Sequence, residues 1–205
     1  IYMQDVRTRQ PVMQRIYRLP VWSRDNTKSF AALELLMEIL SSGTTGRLYQ
    51  SLIVNEKIAV GVGGWADTMR RAYGEAVVYI SPSDTTQIDD NIALLDAEIK
   101  KLKTQQVTLQ ELERAKTKIL ADALYARDSQ FAQARIYGSL ISIGLTIEDV
   151  GRWTKDIEAV SVHDILKAAN LYLDASQSIT GILTPPVDTS NKTKQGSQKA
   201  EAPIS

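Results

Sequence analysis

Cysteine is absent from the 205 residues, and histidine occurs only once, at position 163. The lack of cysteine excludes disulfides, thiolate zinc sites and cysteine nucleophiles. Zinc motifs of the H-x-x-E-H or H-E-x-x-H type need two histidines on one helix, so neither can exist in this chain. His163 lies between Val162 and Asp164 at a predicted helix start. We therefore interpret it as a solvated residue of the first turn.

Neither sign of charge predominates, since Lys plus Arg and Asp plus Glu both number 24. The chain has no net field that would attract nucleic acid or an anionic membrane. No apolar run approaches a membrane span, because the most apolar stretch, AALELLMEIL, contains two glutamates. The sequence shows no signal-peptide pattern and begins with Ile1. We expect it to be a piece of a longer protein, with any targeting segment outside it.

The first half alternates predicted strands and helices. Residues 11–20, between two prolines, predict a strand with apolar residues on both faces. Two more strands are predicted at 59–66 and 74–81, joined by a polar hairpin loop. Helical spacing of apolar residues predicts helices at 29–41 and 46–57. A last strand is predicted at 177–184, before Pro185 and Pro186.

The second half is mostly helical. Ile88, Ile92, Leu95, Ile99 and Leu102 form an amphipathic stripe at helical spacing. Three capping boxes then predict helices at 109–126, 147–158 and 162–173, while 129–143 continues the first of these or begins a new helix. The capping pairs are Thr108 with Glu111, Thr146 with Asp149, and Ser161 with Asp164.

These elements indicate an α+β fold, a two-layer sandwich in which helices cover a largely antiparallel sheet. We predict one domain at 11–186, preceded by a linker or lead-in segment at 1–10. The polar tail at 187–205 has too little apolar content to pack and is predicted to be disordered.

The glycine-rich stretch SSGTTGRLYQSL (41–52) is the first candidate for chemistry. Its glycines, Gly43 and Gly46, are too close for a phosphate loop, arginine replaces the lysine, and a helix precedes them instead of a strand. We interpret the stretch as a joint between two helices. The acidic run DTTQIDD (84–90) lacks the glycine and terminal glutamate of a calcium loop. Serine catalysis would need a histidine base, and no G-x-S-x-G occurs. From the residues alone, no active site is visible.

Four stretches in order carry a further signal: ALELLMEILSSGTTGRLYQSLIVNEKIAVGV, VTLQELERAKTKILADALYARDS, IEDVGRWTKDIEAVSVHDILKAANLYL and SITGILTP. Together they resemble the C-terminal domain of the insulinase and pitrilysin family of zinc peptidases, over residues 11–186. Arg47 and Leu48 match the Arg-Leu of the family's interhelical segment.

The resemblance implies two homologous α+β domains that close as a clamshell around an unfolded peptide. The zinc motif belongs to the N-terminal catalytic domain, and the second domain helps to enclose and orient the substrate. This chain is therefore expected to be the non-catalytic half of a bacterial zinc metalloendopeptidase. By itself it is expected to be inactive, with no catalytic, metal or cofactor residue of its own. Its expected partners are the zinc-bearing N-terminal domain and the peptide substrate.

The chain departs from the family at two positions. Many family second domains carry an Arg and a Tyr, seven residues apart, that hydrogen-bond the substrate. Alignment places Ile53 and Val60 at these positions, and neither side chain can donate. Arg70 or Arg71 with Tyr73 have the wrong spacing and lie in a hairpin. Some assemblies of the family carry the pair on a partner subunit, so the resemblance leaves two options: a partner that supplies the pair, or an inactive parent protein.

Two alternatives stay open on the sequence. The chain could be a structural or assembly module that kept the fold and lost the chemistry, or a nucleotide-binding protein that uses the glycine-rich joint. Bacterial relatives are often exported, so the resemblance also implies a periplasmic location. The isolated fragment could form a homodimer through a face that normally meets the other domain.

Overall fold

A five-stranded sheet forms the base of the computed structural model, which describes residues 1–186 apart from the side chain of residue 150. Its strands are β1 (Tyr2–Gln4), β2 (Val12–Leu19), β3 (Ala59–Asp67), β4 (Gly74–Pro82) and β5 (Ser178–Thr184). The spatial order is β1-β5-β2-β4-β3. Strand β2 is antiparallel to β4 and β5, and β3 is antiparallel to β4, whereas β1 pairs with β5 in parallel.

The helices are α1 (Thr27–Ser41), α2 (Ile88–Thr104), α3 (Leu109–Ala126), α4 (Gln130–Ser142), α5 (Ile147–Ala159) and α6 (Val162–Tyr172). A π-helix (Tyr49–Asn55) connects α1 to β3. Helix α1 packs on β3, and α2 and α6 pack on β4 and β2, respectively. Helices α3 and α5 pack on α1, which explains why ten of the 15 residues of α1 are buried.

Strand β2 shows which face of the sheet the helices cover. Its buried residues alternate with more exposed ones: Met13, Tyr17 and Leu19 are in the core, whereas Ile16 is 38% exposed. Because side chains of a strand alternate between the two faces, the helices cover the face of Met13. The opposite face carries Ile16.

Gly64 of β3 allows α1 to approach the sheet closely. A Cβ atom at this position would lie 2.6 Å from the carbonyl oxygen of Val77, 2.9 Å from Ser41 Oγ and 3.1 Å from Met37 Cε. The first of these atoms belongs to the backbone of β4 and cannot rotate away. Glycine is therefore required by packing at this position.

The predicted fold class is confirmed: the chain is α+β, with helices on one face of a largely antiparallel sheet. The hairpin strands, the three capped helices and the last strand lie within one residue of their predicted bounds. Residues 129–143 form a new helix, α4, which begins after the cap residue Ser129. The predicted helix at 46–57 is present, but most of it is π-helical.

The N-terminal segment contains a strand that the sequence did not indicate. Residues 1–10 were assigned as a linker or lead-in segment, yet Tyr2–Gln4 add to the sheet beside β5. A three-residue strand has no periodicity to detect, so its pairing comes from tertiary context. The boundary at residue 11 stays a prediction, and the predicted disordered tail at 187–205 lies outside the described residues.

All three predicted capping boxes are formed. In each, a carboxylate at the third helical position accepts the backbone N–H of the cap residue, at 2.8–2.9 Å. Each carboxylate also binds a cation from in or near α1. The three ion pairs are Glu111 with Arg47 at 2.8 Å, Asp149 with Arg24 at 3.2 Å, and Asp164 with Lys28 at 2.9 Å. The helix starts are thus tied to the central helix.

Candidate functional site

The glycine-rich stretch after α1 is an interhelical joint, as predicted. Gly43 has a φ of +48°, a conformation that favours glycine, and lies two residues after the end of α1. The Gly46 N–H donates to the carbonyl of Ser42 at 2.8 Å. A Cβ on Gly46 would lie 2.8 Å from the Ser42 nitrogen. The glycines therefore allow a tight turn in which the chain folds back on itself.

Arg47 fastens this joint to the start of α3. Its guanidinium donates to both carboxylate oxygens of Glu111, at 2.8 and 3.1 Å. This pair, assisted by hydrogen bonds from Thr108 and opposed by partial burial, lowers the pKa of Glu111 to about 2. Arg114 adds a hydrogen bond to the Thr45 carbonyl at 3.1 Å. The GRLY and ELERAK stretches thus meet in space, and their polar contacts there are structural.

Ile53 and Val60, which we expect to occupy the positions of the family's Arg and Tyr, lie beyond this joint. Ile53 is in the π-helix, partly buried against the core. Short π-helical segments are frequent at functional sites. Val60 is near the start of the edge strand β3, where a shift in register between Ala59 and Gly61 leaves it outside the ladder. It is 61% exposed. The two side chains can make apolar contacts here but cannot donate hydrogen bonds.

The uncovered face of the sheet carries a row of apolar side chains across four strands. Strand register aligns Ile179, Ile16, Val77 and Trp65. Ile179 is 61% exposed and Trp65 is 45% exposed, whereas Val77 between them is buried by its neighbours. In the next row, the ring of Tyr79 lies 6.4 Å from that of Trp65. We call this surface, defined by these five residues, the open face.

Sequence analysis missed the open face as a site. The sequence predicts apolar residues on both faces of β2, but it does not show which of them remain exposed. Trp22 is in the core, Trp153 is partly buried, and Trp65 lies on the open face. The strand register that joins Trp65 to Ile16 and Ile179 could not be read from the sequence, although exposed apolar patches commonly mark interaction surfaces.

The described residues do not fit a zinc ion. No group of three or more His, Cys, Asp or Glu side chains within residues 1–186 is placed to hold a metal. His163 is exposed in the first turn of α6, as predicted. The neighbouring carboxylate of Asp164 is already bound by Ser161 and Lys28.

Glu34 on α1 has a carboxyl group whose pKa is shifted by burial, but it lies in the helical layer, away from the open face. Burial raises its pKa, nearby Glu38 adds to the rise, and a hydrogen bond from Trp153 Nε1 at 2.8 Å opposes it. Perturbed carboxyl groups can mark active sites when they line a cleft. This carboxyl group instead joins α1 to α5 within the helical layer, and we assign it a packing role.

Comparison with known proteins identifies a family model that matches residues 3–119, more than half of the chain, and is described as the peptidase M16 inactive domain. A comparison with curated proteins gives no significant match. Within residues 1–186, the part of the chain that the structure describes, no helix is long and apolar enough to cross a bilayer.

Three solved structures have the same fold. A protease from Helicobacter pylori aligns with a TM-score of 0.82 at 18% identity, over 90% of this chain and 43% of that protein. The inactive peptidase domain of a protein provisionally named a zinc protease, from Bordetella parapertussis, gives 0.77 at 24% identity, over 88% of this chain and 94% of that domain. The periplasmic protease PqqL from Escherichia coli aligns with a TM-score of 0.67 at 14% identity, over 91% of this chain and 20% of that protein.

Proposed function

This chain belongs to the peptidase M16 inactive-domain family, and on that premise we propose that it is the non-catalytic, substrate-enclosing half of a zinc metalloendopeptidase. The observation that carries the proposal is the open face. The helices leave one side of the sheet uncovered, and apolar and aromatic side chains are exposed there. A domain that worked alone would gain little from leaving such a surface in water.

The proposal assigns binding and orientation, not chemistry, to this chain. The side chains of the open face would contact the apolar groups of an extended peptide. The unpaired edge of β3 offers backbone groups that could pair with that peptide as an added strand. Ile53 and Val60 would exclude water from the bound peptide without donating hydrogen bonds to it. We place zinc and its ligands in a homologous N-terminal domain, because the described residues of this chain do not fit the metal.

The size of the chain supports a division into two halves. It spans 43% of the Helicobacter pylori protease but 94% of the Bordetella inactive domain. We propose that a parent protein contributes a catalytic half of similar fold, and that a partner subunit supplies the missing Arg and Tyr. We also propose a periplasmic location, which the similarity of fold to a periplasmic protease supports.

The test is reconstitution of activity. Cleavage of a quenched, unstructured peptide would be measured for this chain, for the catalytic half of the parent protein, and for their mixture, with zinc and with a chelator. We expect chelator-sensitive cleavage in the mixture only, once the partner subunit that carries the Arg/Tyr pair has also been added. Cleavage by the catalytic half at an unchanged rate, with or without this chain, would refute the proposal.

Matched variants test whether the open face contributes. Ile179 on this face and Ile147 on the helical layer are 61% and 60% exposed. Ile179→Asp should raise the KM of the mixture about tenfold, because the aspartate brings a charge to an apolar contact. Ile147→Asp should leave the KM unchanged. Equal effects of the two variants would remove the open face from the substrate path.

A structural or assembly role is the second candidate. The observation that favours it is the absence of a donor at Ile53 and Val60, which a domain retired from catalysis would no longer need. In that case the chain would still bind the catalytic half, for example in sedimentation experiments, but every mixture would be inactive, including mixtures supplied with a subunit that carries the Arg/Tyr pair.

A further inference from the structure

A cleft of about 520 Å³ opens at one end of the open face, beside the hairpin loop between β3 and β4. Ile16 and Ile179, which pair across β2 and β5, supply its apolar floor. Tyr73, which is 57% exposed, and Arg18 supply part of its wall. The volume is sufficient for one or two amino-acid side chains.

Arg18 is held in the cleft by an aromatic ring. Its guanidinium carbon lies 3.5 Å from the centroid of the Tyr73 ring. In this cation–π arrangement the face of the guanidinium is covered, and the stacking limits its motion. The N–H groups of a guanidinium point outward in its plane, so stacking leaves them able to donate.

The carboxylate that faces Arg18 across the sheet is bound to another residue. Strand register places Glu75 of β4 directly opposite Arg18. Glu75, however, accepts a hydrogen bond from Arg70 Nη2 at 2.6 Å, and Arg70 also binds Asp67 at 2.8 Å. Among residues 1–186, Arg18 forms no ion pair, although a partner stands across from it in the sheet.

We propose that this cleft binds a peptide carboxylate that is adjacent to an apolar side chain. The in-plane donors of Arg18 match the two oxygens of a carboxylate, which favours a bidentate contact. Ile16 and Ile179 would accept the apolar side chain. The carboxylate can come from a peptide C-terminus or from an internal Asp or Glu, since both present the same group. This inference rests on the proposed function, because it specifies which peptides the enclosing half would select.

The cleft is separate from the positions that depart from the family pattern. Val60 is near the start of β3, whereas the hairpin loop follows the end of that strand. At about 3.3 Å per residue, β3 separates the two by roughly 20 Å. The cleft therefore acts as a selecting subsite on this chain and does not replace the missing Arg and Tyr.

The experiment is fluorescence anisotropy with the 205-residue chain and four N-terminally labelled peptides that share an unstructured sequence. One ends in leucine with a free carboxylate, and the second is its C-terminal amide. The third is an amide with an internal Glu-Leu, and the fourth carries Gln-Leu in that place. We expect the first or the third peptide, or both, to bind about tenfold more tightly than its uncharged counterpart. Which of them does so distinguishes the two sources of carboxylate.

Variants of the chain assign the preference to Arg18. R18Q should abolish it, Arg18→Lys should retain part of it, and Tyr73→Leu should weaken it because the guanidinium loses its support. The matched control is Arg9→Gln, since Arg9 is also exposed and without an ion pair among residues 1–186. This control should bind as the unchanged chain does. Arg18 is an exposed strand residue, so circular dichroism is expected to show that its variants fold.

Two outcomes would overturn the inference, and they differ in what else they affect. If all four peptides bind equally, and R18Q binds them as well, the cleft does not select a carboxylate, while peptide binding by this half stands. If none of them binds, the inference fails together with the idea that this half holds peptide on its own. Chelator-sensitive cleavage in the mixture would then show that the proposed function survives without the subsite.

Discussion

The ion pair between Arg47 and Glu111 should stabilise the domain, and in a manner that depends on pH. It joins two segments that are 64 residues apart in sequence, with two hydrogen bonds in the bidentate arrangement. Both side chains are about four-fifths buried, with 19% and 20% of their surface exposed. The perturbation is a double-mutant cycle with Arg47→Gln and Glu111→Gln. Gln at position 111 can still serve the capping box.

The magnitude follows from the pKa of Glu111. A fall from 4.5 to about 2 corresponds to at most about 3 kcal/mol, since one pKa unit is about 1.4 kcal/mol. Solvent screening of partly exposed groups lowers this figure, and Thr108 contributes part of the shift. We therefore expect a coupling free energy of about 1–2 kcal/mol at pH 7. Because the folded pKa is lowered, this stability is present above the unfolded pKa and is lost as pH falls through the folded value. It should decrease by roughly half between pH 5 and pH 3.

The assay is urea denaturation followed by circular dichroism, at pH 7, 5 and 3. The control cycle uses Asp5 and Arg7, whose side chains are 28% and 87% exposed. Exposed pairs contribute about 0–1 kcal/mol. A coupling for Arg47 and Glu111 no larger than that of the control would show that this ion pair does not stabilise the domain. A coupling that stayed constant between pH 5 and pH 3 would refute the predicted dependence on pH.

Three further outcomes are expected. Gly64→Ala should lower the free energy of unfolding by about 1–3 kcal/mol through overpacking. Gly61→Ala, whose Cβ would meet nothing closer than 3.8 Å, should cost much less, and equal losses in denaturation would contradict the close-packing explanation. Burial raises the pKa of Glu34, so stability associated with this group declines as pH rises above its unfolded value. Glu34→Gln should remove that decline, and parallel stability curves between pH 4.5 and 7 would contradict this. In a reconstituted peptidase, Val60→Ala and Ile53→Val should change kcat less than about threefold, far below the hundredfold expected for loss of a donor; a larger fall in kcat at unchanged KM would show a catalytic contact.

The elements that could be predicted from the sequence are those with a strong local signal. Thr108, Thr146 and Ser161 each precede a carboxylate at the third helical position, and all three helices begin where these pairs predict. A capping box satisfies backbone donors within a few residues, so it needs no distant partner. The amphipathic stripe from Ile88 to Leu102 likewise predicted α2, because the helical spacing of its apolar residues can be read within this one segment.

The sequence predicted less where a contact depends on distant segments. The second partners of the capping carboxylates are far away in sequence; Arg24, for example, is 125 residues from Asp149. The π-helical hydrogen bonding around Ile53 and the bulge at Val60 depend on how the segment meets the sheet. Neither leaves a periodicity that differs clearly from that of an ordinary helix or strand.

Composition and short-range hydrogen bonding were enough to predict the fold class and the helix starts, and they exclude thiolate sites and two-histidine zinc motifs from this chain. The sequence also indicated the family through four ordered stretches. Only the tertiary structure decided which apolar residues remain in contact with solvent. Ile16, Trp65 and Ile179 have the same side-chain chemistry as residues of the core. Their exposure follows from strand register and from helices that pack on one face only, and both are properties of the assembled sheet.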